Sequence, residues 1–276
     1  MRAKSSGSGI DGGASLSNAG GVRSAGRETP AYQYHGLMAE AWDLLRGDTS
    51  GWDDRPFYLE LIRRFGEPAL DVGCGTGRLL LDYLAEGIEI DGVDVSPDML
   101  AVCRAKASAL GLEPTLYEQA VEDLQLPRRY RTIIVPSSSI QLVIDPATAE
   151  RAGARLAAHL EPGGVLVMPF MILEGDESWT TEAARPDGAL VRRTARSHYD
   201  PVTQLEDTGD LYEVIVDGEV VAAERHVQRP ATRSYTLDQA RALYLRSGLE
   251  LERVVDGFSD RSFEGSGVFT IIGARR

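Results

Sequence analysis

The chain has 276 residues, of which 43% are hydrophobic and 26% charged, with a formal charge of −13; this suits one large soluble α/β domain, alone or with an insertion. The acidic balance argues against a nucleic-acid partner, because binding a polyanion draws on clustered Lys and Arg to displace counterions. No apolar run reaches the ~18 residues of a membrane span, and Cys74 and Cys103 supply neither a disulfide framework nor a zinc spacing, so a reducing cytoplasm is expected.

Residues 1–30, rich in Gly, Ser and Ala and lacking the apolar core of a secretion signal, read as a disordered leader, with a poorly amphipathic transit peptide as the alternative. From Tyr34 to Phe65, apolar residues at helical spacing predict two helices separated by "DTSGWDD". Strands and helices then alternate: "PALDV" is a strand, Gly77 to Ala85 a helix, and "IEIDGVDV" a strand. Pro97 to Leu110 is a helix with Ser96 as N-cap and Pro97 in its first turn. "PTLYEQA" and "YRTIIVP" are the next strands, Pro146 to Leu160 a helix, and "GVLVMPF" a fifth strand after Pro162-Gly163-Gly164. This rhythm predicts a parallel sheet with helices on both faces. After Phe170, "ALVRRTARSHY", "TQLEDTGDLYEVIV" and "EVVAAERHVQRP" predict three antiparallel strands turned at Asp200-Pro201 and Asp217-Gly218. A helix capped by Thr236 and ended by Gly248, then strands "LELERVV" and "GVFTIIGAR", complete the sheet.

"DVGCGTGR" places Gly73, Gly75 and Gly77 at a strand-to-helix turn, where glycine lets backbone approach a ligand and the helix start offers free N–H groups. A nucleoside triphosphate loop would need Gly-Lys followed by Ser or Thr, whereas Gly77 precedes Arg78 and Leu79. The dinucleotide fingerprint of nicotinamide oxidoreductases needs its third glycine where Arg78 stands. At the end of the second strand, Asp94 can accept hydrogen bonds from both hydroxyls of a free ribose.

With "LDVGCGTGR" followed by Asp94, the chain resembles the class I S-adenosylmethionine (SAM) dependent methyltransferases. The resemblance implies a seven-stranded Rossmann-like α/β sheet with helices on both faces, formed by residues 31–172 and 231–276, with residues 173–230 an antiparallel β insertion serving as lid or dimer surface. It implies SAM as cofactor: Gly73, Cys74 and Gly75 beneath the methionine part, Asp71 at its amino group, Asp94 at the ribose with Val95 beside it, and Tyr34 as a cover. The acid that members place before a small apolar residue to contact adenine is missing, since the aligned pair is Ala120 and Val121. Either Glu122 reaches the adenine amine or the Val121 backbone serves alone, with Met99 covering the ring.

"VPSSSIQLV", after the fourth strand, lies where methyltransferases deliver the acceptor, which brings Ser137, Ser138 and Gln141 to the acceptor and Pro136 to the cofactor. It matches neither the run of amino-methylating DNA enzymes nor the Pro-Cys of cytosine methylases, and resembles the loop of bacterial small-molecule methyltransferases. A small-molecule O- or N-methyltransferase working by in-line displacement is the leading reading, with a non-catalytic SAM-binding protein and a protein methyltransferase as alternatives. Base candidates are Tyr34 and His35 ahead of the core and His198, Tyr199 and His226 in the insertion. Trp42, Trp52 and Trp179 are candidate walls of an acceptor pocket. Arg192, Arg193, Arg196 and Arg229 read as a solvated strand face, and His159 as a helix cap.

Overall fold

The computed structural model describes residues 32–265 and 267–276, so the leader expected over 1–30 lies outside the described residues. The chain opens with short helices α1 (Gly36–Glu40) and α2 (Trp42–Arg46), then α3 (Asp54–Phe65). Then come β1 (Ala69–Val72), α4 (Leu80–Ala85), β2 (Ile90–Asp94), α5 (Pro97–Leu110), β3 (Leu116–Glu118), β4 (Tyr130–Ile134), α6 (Pro146–Ala158) and β5 (Leu160–Met171). The last elements are β6 (Glu177–Ala184), β7 (Leu190–Asp200), β8 (Leu205–Val216), β9 (Glu219–Arg233), α7 (Leu237–Arg246), β10 (Glu250–Asp256) and β11 (Val268–Ala274).

The seven-stranded sheet runs β10-β11-β5-β4-β1-β2-β3. It is mixed rather than parallel throughout, because β11 pairs antiparallel with both β10 and β5. Alternate residues of the central strands feed two cores: Leu70 and Ile133 pack with Leu156 and Leu243 of α6 and α7. Ala69 and Ile134 pack on the other face with Ile62, Leu80 and Leu100 of α3, α4 and α5. The expected caps close these helices locally: Ser96 Oγ accepts the Met99 N–H of α5, and Thr236 and Gln239 form a capping box on α7.

A second sheet, β6-β7-β8-β9, is antiparallel and has four strands where three were expected. The additional strand, "ESWTTEAA", is a largely exposed edge without apolar alternation, so nothing in its pattern announces it. The helix expected from Gly77 begins only at Leu80, because the glycine turn occupies the intervening residues. Val191 and Tyr212 of the second sheet pack on Met38 and Ala41, sandwiching the first helices between this sheet and the α/β body.

Candidate functional site

The glycine turn follows β1, and the Gly73 and Cys74 N–H groups both donate to the Val93 carbonyl (2.7 and 3.1 Å), tying it to β2. Its glycines serve different ends. A Cβ on Gly77 (φ 81°) would lie 2.6 Å from Cys103 Sγ, so that glycine lets α5 pack close. A Cβ on Gly75 (φ 54°) would meet nothing nearer than Met99 Cε at 3.7 Å, so this glycine leaves open a wall of a cavity of about 340 Å³. That volume falls within the range of small-molecule sites.

At one end of the cavity stands Asp71, 2% exposed, whose Oδ1 is buried without a hydrogen-bond partner. Burial pushes its carboxyl up to about 7, with the Arg78 guanidinium opposing the rise. Arg78 itself is spoken for: it forms a mostly buried ion pair with Asp54, the Nη1–Oδ1 contact being 3.0 Å. Arg46 is different. Its guanidinium lies 4.5 Å from the Trp42 ring centroid and 5.2 Å from that of Trp52, lines the cavity, and meets no carboxylate among the described residues. Burial lowers its pKa, as does the neighbouring Arg78. An orphan carboxylate oxygen and an orphan guanidinium on one cavity match the ammonium and carboxylate of an amino acid, which is what the methionine part of SAM presents.

Asp94 is held by the backbone: its Oδ2 accepts the Gly75 N–H and its Oδ1 the Ser96 N–H, both at 2.8 Å. Burial raises its pKa and these N–H groups pull it down. Val95, Met99 and Val121 join it in the cavity wall, forming with Gln119 an apolar slot beside the acid that fits a nucleoside. Glu122 is not in the wall; its carboxylate accepts the Tyr32 hydroxyl at 2.6 Å and is thereby turned away from the expected adenine contact.

Residues 32–37 form a strap over the cavity, with Tyr32 and Tyr34 lining it. The Tyr34 ring sits 4.9 Å from that of Trp42, and its carbonyl accepts from Ser96 Oγ. Burial raises the pKa of the Tyr34 hydroxyl. Gly36 N–H donates to Asp98 (2.9 Å) and Leu37 N–H to Glu224 of β9 (2.8 Å).

After β4, Pro136, Ser137 and Ser138 line the cavity as expected of the acceptor loop. Ser137 and Ser138 both have positive φ (55° and 56°), and Ser139 N–H closes the turn onto Pro136 O at 3.1 Å. Left-handed backbone costs non-glycine residues about 1–2 kcal/mol each, so this turn is held under strain.

Several sequence expectations are corrected. Gln141 is fully buried behind the turn and does not line the cavity. Trp179 lies on the edge strand β6, 39% exposed, against the Arg193 guanidinium. Trp52 stands outside the wall, stacked with Arg46 and Arg78, whereas Trp42 is in it. None of His35, His198, Tyr199 and His226 reaches the cavity. His198 is exposed and bonded to Asp176 at 2.9 Å, which raises its pKa, and the Tyr199 N–H donates to the same carboxylate. His35 and His226 pack on each other at 4.7 Å, with Glu224 Oε2 3.3 Å from His226 Nε2. These rings are anchored in the second sheet and at the start of α1, outside the cavity wall. Arg192 and Arg193 pair with Glu182 and Asp210 of their own sheet, and His159 ends α6 with its Nε2 accepting the Leu126 N–H.

Sequence reasoning missed Arg46, Tyr32, Thr76, Met171 and Thr232, all of which line the cavity. Arg46 reads as the solvated end of an amphipathic helix. Met171 and Thr232 carried a usable signal, since they flank the points where the chain leaves and rejoins the α/β rhythm.

Residues 69–164 match a family model described as a methyltransferase domain. The chain is 28% identical over 254 residues to a dTDP-3-amino-3,6-dideoxy-alpha-D-glucopyranose N,N-dimethyltransferase of Streptomyces fradiae, covering 87% of this chain and 92% of that one. It is 36% identical over 139 residues to a ubiquinone biosynthesis O-methyltransferase of Sodalis glossinidius, covering 48% of this chain and 54% of that one. Among solved structures, a sugar N-methyltransferase from Streptoalloteichus superposes with a TM-score of 0.71 at 24% identity, over 93% of this chain and all of that one, and so shares the fold. Among the described residues, no helix is long and apolar enough to cross a membrane. Residues 69–164 thus carry a methyltransferase domain, and the glycine turn, the sheet order and these relatives support a class I enzyme that uses SAM to methylate small molecules.

Proposed function

We propose that the chain methylates the nitrogen of an amine carried by a small molecule, an amino sugar being the first class to test. The observation that carries this reading is the chemistry of the cavity wall, whose described residues include neither histidine nor lysine and whose carboxylates, the buried Asp71 and the half-buried Asp94, stand at the proposed cofactor end. A hydroxyl acceptor needs its proton taken as it attacks, whereas an uncharged amine attacks unaided. A relative covered over 92% of its length supports the same class, being an amino-sugar N,N-dimethyltransferase by name.

When bound, SAM supplies an electrophilic methyl group on a sulfonium. On this reading Asp71 holds its ammonium, Arg46 its carboxylate and Asp94 its ribose, while Met99 and Val121 enclose the adenine and Tyr34 covers the whole. The glycines Gly73 and Gly75, with Cys74, form the floor; burial raises the Cys74 thiol pKa, so it stays protonated and takes no part as a nucleophile. Ser137 and Ser138, with Met171 and Thr232, present the acceptor. Rate enhancement comes from alignment and exclusion of water rather than from a dedicated base. Residues 173–230 then act as a cover whose roots, rather than its histidines, touch the site.

The test is mass spectrometry of methyl transfer from SAM to dTDP-3-amino-3,6-dideoxyglucose and to its 3-hydroxy counterpart. One or two methyl groups on the amine alone support the reading; methylation of the hydroxyl sugar with the amine untouched overturns it.

A further inference from the structure

We propose that Gln141 is a positioning residue for methyl transfer, holding the Pro136–Ser139 turn in the shape that forms the acceptor side of the cavity. This rests on the assignment of that cavity to cofactor and acceptor made above.

The turn does not hold itself. Both of its central residues have positive φ, the arrangement of a type I′ turn, which favours Asn and Gly, yet both are serines. Ser139 contributes a local brace, its hydroxyl donating to Pro136 O at 2.7 Å. The long-range brace is Gln141, which starts from a fully buried position two residues beyond. Its Nε2 donates to Met171 O (3.0 Å) and to Arg233 O (2.8 Å), and its Oε1 accepts the Met171 N–H (2.6 Å). Both amide donors and one acceptor site are thus spent on backbone. Met171 ends β5 and Arg233 ends β9, so one side chain ties the turn to both roots of the second sheet. Met171 and Thr232, at those roots, line the cavity together with the turn. Arg233 adds a further tie, its Nε donating to Ile144 O at 2.6 Å.

An apolar side chain would fill this buried position without the desolvation an amide suffers, so the amide's contribution is directional: it fixes three backbone segments relative to one another. Displacing the acceptor by about 1 Å is enough to lower a methyl-transfer rate on the order of a hundredfold.

Gln141→Leu, with Gln141→Met as a second variant should the first fail to fold, removes the ties while keeping the volume. We measure kcat and KM for dTDP-3-amino-3,6-dideoxyglucose, calorimetric binding of S-adenosylhomocysteine (SAH), and hydrogen exchange at the Ser139 amide in the SAH complex. Positioning predicts SAH affinity within about threefold of the parent, kcat lowered at least about tenfold and faster exchange at Ser139. Adding Ser138→Gly, which adopts the left-handed conformation unaided, should restore part of the lost kcat and protection. A variant that melts earlier but keeps kcat and Ser139 exchange overturns the proposal, as does a double variant that recovers neither. If the parent enzyme leaves this acceptor unmethylated, the amino-sugar reading is what has failed. The exchange arm then decides: unaltered protection of Ser139 in Gln141→Leu overturns the positioning role, and lost protection regained with Ser138→Gly supports it.

Discussion

Replacing Asp71 by Asn tests whether a buried carboxylate holds the cofactor's ammonium. Burial pushes the Asp71 carboxyl up to about 7 from an ordinary 3.8. Only the ionised form pairs with an ammonium, so SAH affinity should track the ionised fraction, falling about tenfold between about pH 8 and about pH 6. Binding near pH 6 should release close to one proton per site, seen by calorimetry in two buffers of different ionisation heat. Asp71→Asn should abolish both the pH dependence and the proton release. It should also weaken binding near pH 8 by about 2–4 kcal/mol, on the order of 30- to 1,000-fold, the range for losing a charge-assisted contact in a buried site. The free protein should respond in the opposite sense. A folded pKa raised above the unfolded one gives stability that is present below about pH 4 and lost as pH rises through about 7, roughly 1.4 kcal/mol per unit across some three units. Ligand-free Asp71→Asn should therefore melt above the parent near pH 8, while binding SAH worse. A parent Kd for SAH that is flat from about pH 6 to about pH 8, with no proton released, would refute the assignment.

Three further variants probe the rest of the site. Asp94→Ala removes the acceptor of the Gly75 and Ser96 N–H groups together with the proposed ribose contact, and should weaken both SAH and 5′-methylthioadenosine by at least about 100-fold in calorimetry; retained affinity would sink the ribose assignment. Arg46→Met keeps bulk between Trp42 and Trp52 but deletes the cation. It should cost SAH about tenfold or more while leaving methylthioadenosine, which lacks the amino acid, unchanged; equal losses for both ligands would contradict the carboxylate role. A Cβ at Gly36 would fall 2.4 Å from Glu224 Oε2, so Gly36→Ala should loosen the strap and speed SAH dissociation several-fold in stopped flow. An unchanged dissociation rate would show that the contact to β9 does not hold the strap.

What could be read from the sequence was what is local. Ser96-Pro97 and Thr236 cap helices through residues within three positions, so α5 and α7 were legible to their first residues. The strand-turn-helix around Gly73 to Gly77 was equally plain, because backbone approach leaves a glycine signature. Strand direction is set by partners distant in sequence, and nothing within "GVFTIIGAR" shows that β11 runs against its neighbours. The same limit applies to side chains. Gln141 follows β4 in the segment that its position in the sequence indicates, but its partners Met171 and Arg233 lie 30 and 92 residues away and hold the amide outside the cavity wall. Glu122 was diverted by a tyrosine 90 residues earlier. Arg46 joins the cavity wall through long-range packing on two tryptophans, beside an Arg78–Asp54 pair that leaves it no carboxylate among the described residues.

The strap of residues 32–37 is fastened at three separate places: Glu122 before β4, Ser96 and Asp98 at the start of α5, and Glu224 on β9. Spent cofactor lying beneath it would leave as these fastenings let go, which makes product exchange a step that the strap can slow. For an amine taking two methyl groups, that exchange falls between the first and the second. The walls built by Met171 and Thr232 belong to strand ends rather than to the strap, so on the proposed reading the cofactor would be renewed while the singly methylated amine stays in place. The enzyme would then finish both additions on one molecule, and early time points should show doubly methylated product without a pool of the single.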